Sequence, residues 1–214
     1  MENQQPCPLC THDSHLLDPT ARRRYFRCPN CGGIFLAREL LLPPDAELRE
    51  YHTHNNDITD IRYQKFVSPL VELIDSRQDN GQTGLDFGAG PGPVVAHMLG
   101  KLGYAIDLYD PFFHPDKTIF AKSYDFIFCC EVIEHFNNPG ITFATLGNLL
   151  APGGSLYCRT TLYRTDINFS TWFYKKEDTH VFFYQRETIE WIAEHLLQCD
   201  FSILNDNLLY FSRV

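Results

Sequence analysis

No stretch of the 214-residue chain approaches the ~20 consecutive apolar residues of a membrane-spanning helix, and the opening Met1–Pro6 is polar with no apolar segment behind it. These two absences point away from a spanning helix and a secretory leader, so a cytoplasmic protein with no membrane partner is expected. Basic charge is also scarce. The formal net charge is −9; residues 1–40 hold five Arg and Lys against four Asp and Glu, leaving thirteen against twenty-three for the remainder. The larger part of the chain therefore repels polyanions at long range, which argues against an enzyme that grips nucleic-acid phosphates without specificity.

What is present divides the chain unevenly. At 44% hydrophobic residues the length suffices for one sizeable α/β core with a small satellite. The satellite is read at the N-terminus, where Cys7, Cys10, Cys28 and Cys31 form C-x2-C-x17-C-x2-C. In a reducing compartment this spacing predicts a four-thiolate zinc site, each knuckle offering two sulfurs, with no open position for catalysis. Tyr25-Phe26-Arg27 and Ile34-Phe35-Leu36 read as the strands of a ribbon. The one basic cluster, Arg22–Arg24 with Arg27, suits either a solvated face or an acidic partner such as RNA.

Leu85–Gly92, LDFGAGPG, reads as the end of a buried strand, a glycine turn, and the start of a helix whose inner face is Val94, Val95, Met98, Leu99 and Leu102. Such a turn suits a nucleotide-type ligand, because it brings bare backbone beside a helix N-terminus, although an ordinary turn has the same pattern. Before it, Asp45–Tyr51 and Ile58–Ile74 predict helices, the second with Ile61, Phe66, Leu70, Leu73 and Ile74 along one side and a kink or break at Pro69. Tyr51, His52, His54 and Tyr63 are candidate lid residues. After it, Ala105–Tyr109 predicts a strand ending at Asp110, and Tyr124–Cys130 a central strand delivering Glu131, Glu134 and His135 to its carboxyl end. Only Lys117–Phe120 is left for a reduced edge strand between them. Thr161–Tyr184 is an aromatic-rich excursion, read as a pocket wall or a cover for the sheet edge.

In order, LDFGAGPG, AIDLYDP (105–111), YDFIFCCEVIEHF (124–136), LLAPGGSLYC (149–158) and the terminal Phe201–Val214 resemble class I S-adenosylmethionine-dependent methyltransferases of the small-molecule type. The resemblance implies an α/β, Rossmann-like methyltransferase sheet, mostly parallel with an antiparallel C-terminal hairpin, in addition to the N-terminal zinc ribbon. The expected organisation is 1–42 ribbon, 43–80 helical linker or lid, and 81–214 cofactor-binding domain. S-adenosylmethionine would be held by Asp86, Gly88, Ala89, Gly90, Gly92, Asp110, Pro111 and Glu131. Asp110 is the implied ribose ligand with Asp107 as runner-up, and Phe112 or Phe113 is available for the adenine face. His180, Glu131 and His135 are the implied catalytic set, with His180 as general base oriented by Asp178 or Tyr174. A small-molecule acceptor is the first expectation. An RNA methyltransferase docking through Arg22–Arg27 and a non-catalytic cofactor-binding scaffold are the alternatives.

Overall fold

The computed structural model describes residues 4–53, 57–205 and 207–213; His54, a candidate lid residue, and Asp206 in the terminal turn lie outside them. The central sheet has six strands in the order β10-β11-β8-β7-β5-β6. These are β5 (Thr83–Phe87), β6 (Ala105–Tyr109), β7 (Tyr124–Cys130), β8 (Leu150–Arg159), β10 (Cys199–Asn205) and β11 (Leu208–Arg213). Strands β6, β5, β7 and β8 run parallel, whereas β11 is antiparallel to β8 and to β10. This is the mostly parallel sheet with a reversed C-terminal hairpin that the sequence resemblance implies.

Side chains on the middle strands alternate between two cores, as the twofold period of a strand requires. Phe126, Phe128 and Tyr157 pack with α2 (Ile61–Asp75) and α3 (Val94–Lys101). Ile127, Cys129, Leu156 and Cys158 pack with α4 (Pro139–Leu149) and α5 (Arg186–Ile192) on the other side. Burying such side chains stabilises the fold by about 1.5–3 kcal/mol each.

Three local expectations are corrected. First, of the kink or break allowed at Pro69 the break does not occur, and α2 continues through it: proline has no N–H for the carbonyl of Lys65, and the Ser68 hydroxyl donates to that carbonyl instead, at 3.3 Å. The buried stripe is Val67, Leu70, Val71 and Ile74, while Ile61 and Phe66 are exposed. Second, Lys117–Ala121 is a 3-10 turn capped by Asp116, not an edge strand. Third, Leu102 lies beyond the end of α3 and is exposed.

The N-terminal strands β1 (Gln4–Pro6), β2 (Asp13–Leu16), β3 (Tyr25–Arg27) and β4 (Ile34–Leu36) form a second sheet. Its fifth strand, β9 (Phe182–Phe183), comes from the aromatic excursion and pairs with β4. The excursion's aromatics cover neither the large sheet's edge nor chiefly the pocket. Phe169, Trp172, Tyr174 and Phe183 pack against Tyr25, Ile34 and Leu36 of the ribbon, because the open edge of β4 needs a partner for its backbone groups. The ribbon also reaches the main core: the Gly140 N–H donates to the Pro8 carbonyl at 3.2 Å. A Cβ on Gly140 would stand 2.4 Å from the Leu9 carbonyl oxygen, so this close approach at the start of α4 requires glycine.

Candidate active site

At the carboxyl ends of the parallel strands lies a cavity of about 600 Å³, within the range that holds a cofactor or drug-sized ligand. Gly88, Gly90, Tyr109, Asp110, Pro111, Phe112 and Phe113 line one end. Gly88 has φ +90° and Gly90 φ +60°, and the N–H groups of Gly88 and Ala89 donate to the Tyr109 carbonyl at 2.8 and 3.0 Å. Asp110 fixes the loop's other side. Its Oδ2 accepts from the Gly90 N–H at 3.1 Å, and its Oδ1 accepts from Phe112 and Phe113 at 2.8 and 3.0 Å. A carboxylate has about four lone-pair sites, so acceptor capacity remains for a ribose hydroxyl. Asp107 is differently engaged: its Oδ2 accepts from Lys122 Nζ at 2.6 Å and from the Tyr124 hydroxyl at 2.8 Å.

Asp86, Ala89 and Gly92 do not line the cavity, unlike the other proposed cofactor residues Gly88, Gly90, Asp110, Pro111 and Glu131. Asp86 is buried beneath the loop, where loss of solvation and then the Asp110 charge push its carboxyl up to about 8.

Glu131, His135 and His180 line the cavity together. Glu131 follows β7 directly and has φ +53°, a left-handed conformation that costs a non-glycine residue about 1–2 kcal/mol. Its N–H donates to the Arg159 carbonyl at 2.8 Å, and its Oε1 lies 3.2 Å from Arg159 Nε. Behind it is a network built from the end of β8 and the excursion. The Tyr174 hydroxyl donates to Glu134 Oε1, and the Thr160 hydroxyl donates to Glu134 Oε2 at 2.9 Å. The same Tyr174 oxygen lies 3.1 Å from Glu131 Oε2. One hydroxyl hydrogen cannot serve two carboxylates at once, so the pair is best satisfied with a proton on one of them. Burial accordingly raises both acids: desolvation and then Glu134 act on Glu131, and desolvation dominates for Glu134.

The two histidines are held alike. His135 Nδ1 is 3.0 Å from the Thr179 carbonyl, and His180 Nδ1 is 2.6 Å from the Tyr174 carbonyl. A carbonyl only accepts, so each Nδ1 carries a proton, and the neutral form of each ring offers Nε2 as an acceptor. His180 Nε2 lies 4.0 Å from Glu134 Oε1. The backbone of Tyr174, not its hydroxyl, orients His180. Asp178 does not orient it, since its carboxylate pairs with Arg23. Arg24 pairs with Glu39, and Arg27 donates to Gln185 at 3.2 Å. Most of the basic cluster is thus spent on intramolecular contacts.

Sequence reasoning missed Glu47 and Glu177 on the wall and the Thr160–Tyr174–Glu134 network behind it. No spacing signals them, because they come from four separate segments. Of the lid candidates, Tyr51 and Tyr63 line the cavity, and the Tyr51 hydroxyl donates to Glu47 at 2.8 Å. His52 packs edge-on against Phe113.

Apart from this site, Cys7, Cys10, Cys28 and Cys31 bring their sulfurs within 4.8 Å of one another. The Cys7–Cys31 and Cys10–Cys28 sulfurs are 3.6 and 3.4 Å apart. Four thiolates about 2.3 Å from a tetrahedral zinc would be roughly 3.8 Å apart, so the donor set fits that ion.

A parallel sheet with a reversed hairpin, a glycine turn and an acid closing the adjacent strand define a class of α/β proteins that bind a nucleoside-type ligand at the strand ends. A profile of the methyltransferase domain matches residues 59–196, more than half of the chain, and the protein belongs to that family. The ubiquinone biosynthesis O-methyltransferase of Erwinia tasmaniensis is 31% identical over 85 residues, covering 40% of this chain and 35% of that protein. The match thus spans about a third of that relative's length. Among solved structures, the 1,6-didemethyltoxoflavin-N1-methyltransferase of Burkholderia thailandensis, with bound 1,6-didemethyltoxoflavin and S-adenosylhomocysteine, superposes with a TM-score of 0.57. It is 14% identical and covers 94% of this chain and 99% of its own. The PH0226 protein of Pyrococcus horikoshii gives a TM-score of 0.50 at 14% identity, covering 74% and 94%. At such identities the likeness is one of fold.

Proposed function

We propose that the protein transfers the methyl group of S-adenosylmethionine to a small-molecule acceptor in the cytoplasm, and that its four cysteines hold a structural zinc. The observation that carries the enzymatic reading is the convergence in one cavity of the glycine loop, Asp110, Glu131 at positive φ, and two histidines presenting Nε2. The bound sulfonium supplies the methyl electrophile. Gly88 and Gly90 would admit its amino-acid end to the backbone, Asp110 would take a ribose hydroxyl, and Glu131 would border the methyl group to be transferred. The residues then chiefly hold the acceptor in line with the breaking bond. His180 Nε2 removes the acceptor's proton, its tautomer fixed by the Tyr174 carbonyl. Cys7, Cys10, Cys28 and Cys31 close the zinc's coordination, leaving it no role at the cavity.

Calorimetric titration of the full chain with S-adenosylhomocysteine tests the reading. Saturable one-to-one binding, lost or at least tenfold weaker in Asp110→Ala, is expected, together with one zinc per chain by elemental mass spectrometry. Absence of binding by zinc-replete protein would overturn it.

A further inference from the structure

The walls of the cavity carry the carboxylates of Glu47, Asp110 and Glu177, together with Glu131, whose charge is offset by Arg159 and by the proton it shares with Glu134, and among the described residues no lysine or arginine. The sequence excludes those two residue types at positions 54–56 as well. Cations stand nearby, but each is turned to other work. The Arg159 guanidinium lies 4.0 Å over the Phe66 ring and beside Glu131. Arg23 is paired with Asp178, and the Lys175 ammonium sits over the Tyr25 and Phe169 rings at 5.3 and 5.1 Å. An adjoining pocket that shares Glu131, Glu177 and His180 with the cavity has Lys176 as its one lysine or arginine among the described residues, together with Glu50 and Asp178. An acceptor bearing phosphate or carboxylate would therefore meet like charge without a bidentate partner, at a depth where water screens poorly. The rest of the wall combines the aromatic rings of Tyr51, Phe112 and Phe136 with the uncharged polar side chains of Asn137, Asn138 and Thr142. Aromatic faces beside carboxylates favour a ring that carries positive charge.

The movement of charge during transfer sharpens this. If an oxyanion attacks, its negative charge and the sulfonium's positive charge vanish together, and an acidic wall opposes the approach of the anion. If a neutral nitrogen attacks, the positive charge passes from sulfur to nitrogen. Fixed carboxylates then stabilise it at both ends of the path.

From this wall, and resting on the methyl-transfer reading above, we infer that the acceptor is a planar, ring-bearing amine or ring nitrogen, methylated at nitrogen, and not a phenolate, carboxylate or phosphate ester. The nitrogen lone pair forms the new bond to the methyl carbon. The carbon–sulfur bond breaks with its electron pair returning to sulfur, and the proton of the resulting ammonium, where it has one, passes to His180 Nε2.

The test uses two analogues of S-adenosylhomocysteine in which a nitrogen replaces the sulfur and carries either an aminoethyl or a carboxymethyl arm. The cofactor part anchors both, so the arms probe the acceptor space of the intact protein directly. The aminoethyl compound is expected to bind at least tenfold tighter than the carboxymethyl one at pH 7.5. The ratio should shrink in Glu47→Gln or Glu177→Gln, variants first shown to keep their affinity for S-adenosylhomocysteine. A ratio near one, a preference for the carboxylate, or exclusion of both arms by protein that binds S-adenosylhomocysteine overturns the inference. If S-adenosylhomocysteine itself does not bind, the methyl-transfer reading falls with it.

Discussion

Replacing Gly88 with alanine perturbs the glycine loop in two separable ways. The residue has φ +90°, where an L-residue costs about 1–2 kcal/mol. An added Cβ would also stand 2.4 Å from Val132 Cγ1 and 2.6 Å from Cγ2, an overlap of the kind that costs about 1–3 kcal/mol when a packed site is overfilled. Together they give a loss of roughly 2–5 kcal/mol, measurable as a lower urea midpoint with unchanged slope. Val132→Ala removes the overlapping methyls but leaves the backbone strain. In that background the same Gly88→Ala change should therefore cost only about 1–2 kcal/mol, the remaining difference being the coupling between the two positions. S-adenosylhomocysteine affinity should fall in the single variant and recover partly in the double. Equal costs in both backgrounds would refute the contact between loop and Val132; no cost in either would refute the loop conformation itself.

Three further outcomes are expected. His180→Ala should slow turnover by roughly 10²–10⁴-fold, the usual range for a lost general base, with S-adenosylhomocysteine affinity unchanged by calorimetry; an equal loss of affinity would assign the residue to cofactor binding. Asp86 is raised to about 8 by burial, so the folded state binds its proton more tightly than the unfolded chain. Its contribution is complete below the ordinary carboxyl range and is lost as pH rises towards 8. Urea unfolding of Asp86→Asn should accordingly fall less steeply between pH 5 and 8 than wild type, with Glu131 and Glu134 supplying the residual slope of the same sign; identical slopes would count against a buried, protonated Asp86. Cys28→Ser, which breaks the four-cysteine set proposed to hold zinc, should loosen the ribbon and, through the β4–β9 pairing, raise amide exchange at Val181–Phe183, whereas unchanged exchange would show that β9 holds without that set.

Much of the architecture was legible in residue order. The nearly continuous apolar run of Tyr124–Cys130 and the acid closing Ala105–Tyr109 are local patterns that survive folding unchanged. The terminal hairpin was legible for the same reason. Proline at 69 does not break the helix because a side chain one residue earlier takes over the orphaned carbonyl, and a rule about single residues does not contain that substitution. Lys117–Phe120 misled because a short apolar run reads alike as strand or turn until a neighbouring strand is present to pair with it.

By itself the sequence determined which segments could meet a nucleoside ligand and which four sulfurs could share an ion, because glycine turns, strand-end acids and paired knuckles act over a few residues. Only the tertiary structure decided that the aromatic excursion completes the ribbon's sheet, that Asp178 turns to Arg23 while a backbone carbonyl holds His180, and that the cavity wall is acidic. Those facts depend on edges and charges brought together from distant segments, and their energies exist only once the chain has closed.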